Sequence, residues 1–137
     1  RAYAMRTTWT GVPKDLRDAA GPLLTEHGRL TPGWVRLLAV RFDDAMADAN
    51  ACILSEQNYN RATLTFGPGW MNCDAQEREW IVVHELAHTQ LAPLERAWES
   101  MMSGLPKKMR LVADRLFDDA LEEAVSGLAY ALVKDAE

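Results

Sequence analysis

The chain has 137 residues, 48% hydrophobic and 26% charged, with a net charge of −5. That length suits a single domain over residues 1–137 with a genuine core. The acidity, without a basic run or basic helix face, speaks against nucleic acid or an anionic membrane as partner.

From Pro13 to about His27, the residues Leu16, Ala19, Ala20, Leu23 and Leu24 recur at helical spacing, predicting a first helix that Gly21-Pro22 kinks. Residues 34–43 are rich in β-formers, residues 50–57 form a short run around Ala51-Cys52-Ile53-Leu54, and Ala62-Thr63-Leu64-Thr65-Phe66 alternates until Gly67-Pro68-Gly69 stops it. These read as neighbouring strands of one small sheet, three-stranded or larger. Asp74, with Glu77 three residues on, is a capping-box start for a helix, which Pro93 is expected to end or kink soon after His88. Residues 95–106, with Trp98, Met101, Met102 and a Ser103-Gly104 break, read as a short helix or a flap. A last helix is expected over about 107–134, with Met109, Val112, Leu116, Leu121, Val125, Leu128 and Leu132 on a shared apolar stripe. The class is α+β. No stretch reaches the roughly 18 apolar residues of a membrane span and the start lacks a signal-peptide core, so a cytoplasmic location is expected. Cys52 and Cys73 are too few for a disulfide framework and are expected as free thiols in a reducing compartment.

The chemistry is concentrated in His84-Glu85-Leu86-Ala87-His88. Residues four apart share one face of a helix, so both imidazoles can point at one ion. Glu85 lies about 100° round the helix, beside the position left for water, where it can take a proton. Trp80, Ile81, Ala87 and Leu91 lie within about 60° of His84, and Val82 and Leu86 make the opposite face apolar as well. Buried histidines and a buried Glu need partners, and a metal ion with its water would satisfy all three.

A catalytic zinc takes three protein ligands and a water, so one ligand is missing. The three-histidine extension would need Gly at 91 and His at 94, where this chain has Leu91 and Leu94. The one other histidine, His27, lies far upstream, where a surface or helix-terminal role is the simpler reading. That leaves a carboxylate from Asp118, Asp119, Glu122 or Glu123. With Leu121 as zero on a helical wheel, Glu122 falls near 100°, at the border of the apolar stripe, and Glu123 near 200°, towards solvent. Glu122 is the favoured ligand. Asp118, one turn earlier, is the alternative, as ligand or as partner of a histidine ring N–H.

These residues resemble a gluzincin, a zincin whose third ligand is a downstream Glu. The chain resembles small phage and prophage metallopeptidases and, more loosely, ImmA/IrrE-like metallopeptidases, over about residues 60–132. The matching segments are Arg61-Ala62-Thr63-Leu64-Thr65-Phe66 as an edge strand, the His84–His88 motif, Leu91-Ala92-Pro93-Leu94 and Glu122-Glu123-Ala124-Val125-Ser126-Gly127-Leu128-Ala129. The resemblance maps the third ligand onto Glu122, with Ser126 where relatives often carry Asp, Asn or Glu. It implies a minimal zincin-like fold with one catalytic zinc held by His84, His88 and Glu122, and Glu85 as general base. The implied activity is that of a zinc metallopeptidase, an endopeptidase acting on a peptide or protein whose strand pairs near residues 62–66. Tyr130, Tyr59 and Arg61 are candidate oxyanion donors. Two other readings stay open: a non-catalytic zinc-binding adaptor that holds a partner peptide, and a hydrolase of another amide.

Overall fold

The structure is a computed structural model that describes residues 4–47 and 49–136. The described residues form an α+β domain: strand β1 (Arg6–Thr10), helix α1 (Lys14–His27), strands β2 (Leu37–Phe42), β3 (Ala51–Glu56) and β4 (Arg61–Phe66), then helices α2 (Ala75–Met102) and α3 (Lys107–Ala136). The sheet order is β1-β2-β4-β3. β1, β2 and β4 run parallel, and β3 is antiparallel to β4.

In register, Leu38 lies beside Ala62 and Val40 beside Leu64, so one sheet face is continuously apolar. That face meets Leu16, Ala20 and Leu24 of α1 and Ile81, Val82 and Leu86 of α2 in one core. The other side of α2 is covered in turn, since Val83 packs with Ala129 and Val133 of α3. α2 is therefore sandwiched between sheet and α3. This is why it is apolar nearly all round.

Several expectations are revised. The sheet has four strands, within the three or more expected, and β1 is the one that the pattern did not announce. Gly21-Pro22 does not interrupt α1, and Pro93 does not end α2, which runs on to Met102. Residues 95–102 are thus the last turns of α2 rather than a separate helix or flap. The missing N–H of Pro93 costs one helical bond, and packing beyond it holds the helix, with the Trp98 ring stacked on Phe117 of α3 at 4.5 Å. The expected edge strand over residues 61–66 is instead interior: β4 is hydrogen-bonded to β2 on one side and β3 on the other. The edge next to α2 is β3. On α3 the buried stripe is Leu121, Val125, Ala129 and Val133, while Met109, Val112, Leu116 and Leu128 are exposed. The expected stripe mixed two different faces. Cys52 and Cys73 are free. No helix among the described residues is long and apolar enough to cross a membrane.

Candidate metal centre

α2 starts at a sharp cap, where Asp74 accepts a hydrogen bond from the Glu77 backbone N–H at 2.8 Å. Arg78 reinforces this start by donating to the carbonyls of Trp70 and Met71. From there the helix carries His84 and His88 one turn apart on the side facing α3, which brings up Glu122. His84 Nε2 and His88 Nε2 are 3.2 Å apart. Glu122 reaches both, with Oε2 3.3 Å from His84 Nε2 and Oε1 2.9 Å from His88 Nε2.

The three side chains can each turn one ligand atom into a common volume, all within 4.8 Å of one another. Donors held about 2.0–2.2 Å from a tetrahedral ion lie about 3.3–3.5 Å apart, close to the spacing found. Two ring nitrogens facing each other at 3.2 Å need a proton or a cation between them, and a carboxylate beside both supplies negative charge. Nitrogen and oxygen donors in this number suit a divalent transition ion. The residues fit the group.

The neighbours fix the rings. Trp80 packs at a tilt against His84 with ring centroids 4.9 Å apart, and Tyr130 of α3 lies against Trp80 in turn at 5.3 Å. His84 Nδ1 is buried and has no hydrogen-bond partner among the described residues. His88 Nδ1 lies 4.0 Å from Glu95 Oε1. Burial lowers the His88 pKa, partly opposed by Glu122 and assisted by His84, which favours a neutral ring able to offer a lone pair.

Glu85 is not one of the donors. It points towards β3, where the Ile53 backbone N–H hydrogen-bonds its carboxylate, and burial followed by repulsion from Glu122 pushes its pKa up to about 8. A cation between the histidines and Glu122 would offset that repulsion and bring the carboxylate down into the range of a working base.

A cleft of about 550 Å³ opens between β3 with its following turn and the α2–α3 hairpin, and His88 is the member of the triad that lines it. Its wall includes Glu95, Trp98, Phe117 and Asp118. Burial and then repulsion by Asp118 and Glu122 raise the Glu95 pKa. Arg96 closes part of the mouth by hydrogen bonds to Gln57 and Asn58 at 3.1 and 2.9 Å.

The structure thus brings His84, His88 and Glu122 together and places Glu85 beside them. Asp118 lies along the cleft wall and is not in the triad, and Glu123 is exposed. His27 is the last residue of α1, but buried rather than on the surface. Its Nε2 lies 2.9 Å from Glu79 Oε1 and ties α1 to α2. Of the candidate oxyanion donors, Arg61 is engaged by both oxygens of Glu56, Tyr130 packs against Trp80, and Tyr59 is exposed at the cleft rim. Sequence reasoning missed the Ile53 contact, the Trp80–His84 contact and Glu95. The spacing of Trp80 to His84, four residues, was the available signal for the second. No periodicity reports a contact between helix and strand. Compared with protein-family models, with curated proteins and with solved structures, the chain shows no match.

Proposed function

We propose that the protein is a zinc-dependent metallopeptidase, with the ion held by His84, His88 and Glu122. The observation that carries this reading is the convergence of these three donors beside a half-buried fourth side chain, Glu85, that binds none of them. When bound, zinc polarises a carbonyl and lowers the pKa of water towards neutrality.

The protein's own groups divide the remaining work. Glu85 accepts a proton at its carboxylate and returns it to the leaving amine, held in place by the Ile53 N–H. Trp80 packs against the His84 ring and keeps it oriented on the buried side of the site, whereas Glu122 approaches from the exposed side. A peptide in extended form adds to the outer edge of β3 away from the Ile53 N–H that Glu85 engages, because the backbone of β4 is already paired on both sides. The cleft beyond His88 takes the side chains on one side of the bond to be cut. An endopeptidase is favoured, since the cleft is open along β3.

The experiment pairs two substitutions. Glu85→Gln is expected to keep zinc at one equivalent and to lower peptide hydrolysis by about 10²–10⁴-fold. Glu122→Ala is expected to lose zinc on dialysis, measured by elemental analysis. Undiminished hydrolysis in the Glu85 variant overturns the assignment of the base, and zinc-replete protein that retains none overturns the metal site.

A further inference from the structure

Helix α3 has an inner face that packs on α2 and a second apolar face that nothing in the described structure covers. Met109, Val112 and Leu116 are 59%, 62% and 67% exposed. With Leu116 as zero, Met109, Val112, Ala120, Glu123 and Gly127 all fall within about 40°, whereas the buried Leu121, Val125 and Ala129 lie about 140–180° away. Three bulky apolar residues in consecutive turns form a continuous patch of the kind that marks a binding surface.

The residues around the patch say what fits it. Size and charge both reverse about Leu116. Large side chains, Met109 and Val112, precede it, and small ones, Ala120 and Gly127, follow. Lys108 and Arg115 precede it, Asp119 and Glu123 follow, and all four are exposed. Lys108, Arg115 and Asp119 share one flank, about 60–100° from the centre of the patch, and Glu123 lies on the same side.

We propose that this face binds a second copy of the chain, as an antiparallel pair of α3 helices with the two-fold axis at Leu116. In an antiparallel helix pair each flank meets the same flank of its partner, so a charge pattern that reverses about the axis complements itself. Lys108 then faces Glu123 of the second copy, Arg115 faces Asp119, and each pair occurs twice. Val112 lies opposite Ala120, and Met109 enters the turn between Glu123 and Gly127, large against small. A parallel pair would instead set the charged flank against Ala113, Phe117 and Ala124, which offer no complementary charge.

The test is sedimentation equilibrium of the full chain from about 1 μM to about 500 μM, with helicity monitored by circular dichroism. The wild type is expected to dimerise within this range. Leu116→Glu places two like charges at the axis and is expected to give a folded monomer. Arg115→Glu is expected to weaken association by about ten-fold or more, and the double variant Arg115→Glu with Asp119→Arg to restore it. A wild type monomeric throughout overturns the proposal. So does a dimer unaffected by Leu116→Glu, or a double variant that associates no better than Arg115→Glu alone.

Discussion

The two halves of α2 belong to one continuous helix and to different surroundings. From Ile81 to Ala92 it lies between the sheet and α3, with Ile81, Val82, Val83, Leu86, Ala87 and Ala92 buried. Beyond Pro93, Leu94 and Met101 are exposed although each is as apolar as the buried residues before it. The same holds along α3, where the turns after Leu121 bury one residue per turn and the turns before it leave Met109, Leu111, Val112 and Leu116 in solvent. An apolar pattern says that a face is suited to cover, and only tertiary structure says whether the chain supplies that cover itself. The donor-bearing half is covered on both sides, which suits a group of polar atoms that must be held in fixed positions.

Truncation is the strongest way to break this comparison. Leu86→Ala, between helix and sheet, is expected to cost about 2–5 kcal/mol, because the packed surroundings cannot close over the cavity. Met101→Ala, on the exposed half, is expected to stay within about 0.5 kcal/mol. Urea denaturation of both variants measures the difference, and equal losses would mean that the two halves are equally packed.

A further effect is expected from pH in the metal-free protein. Glu85 has its pKa raised to about 8 in the fold, from an ordinary value of 4.5. Between those values the unfolded chain has released a proton that the folded one keeps. The contribution of this carboxyl to stability is therefore fully present below 4.5 and lost as pH rises through 8. His88, with its pKa lowered, acts in the opposite sense, losing stability as pH falls through its own range. The difference in thermal midpoint between wild type and Glu85→Gln, followed from pH 4.5 to 8 in the presence of a chelator, isolates the Glu85 part. It should shift in favour of the Gln variant as pH rises, and a constant difference would contradict the raised value.

The smallest effect is expected at the start of the covered half. Asp74→Ala removes the cap on the Glu77 N–H and should cost about 1 kcal/mol without changing the metal-binding stoichiometry. Thermal denaturation and elemental analysis together check both parts.

Much of the covered half was legible in the sequence, since the Asp74 cap, the helical spacing of His84 and His88 and the position of Glu122 on its wheel are local properties. The alternation Ala62, Leu64, Phe66 likewise gave the buried face of β4. It could not give its neighbours. Pairing in a sheet is a relation between segments, and a strand with the same alternation can be central or at an edge. Pro93 was misleading for a related reason, because its local penalty is offset by the Trp98–Phe117 stack contributed from another helix. Met109, Val112 and Leu116 obeyed helical periodicity and still joined the wrong face, since an apolar stripe carries no label for what it meets.

The three candidate ligands also differ in when they become available as the chain folds. His84 and His88 are neighbours as soon as a single turn of α2 exists, whereas Glu122 arrives on the second arm of a helical hairpin and meets them only when that hairpin closes. An ion gripped by all three would therefore act as a clasp on the hairpin, and its binding free energy would enter the closing of α3 onto α2. At a concentration a hundred times its dissociation constant, an ion with no affinity for the open form would favour the closed one by about 2.7 kcal/mol. The region most steadied by metal would then include the inner face of α3 around Val125 and Ala129, well beyond the ligands themselves.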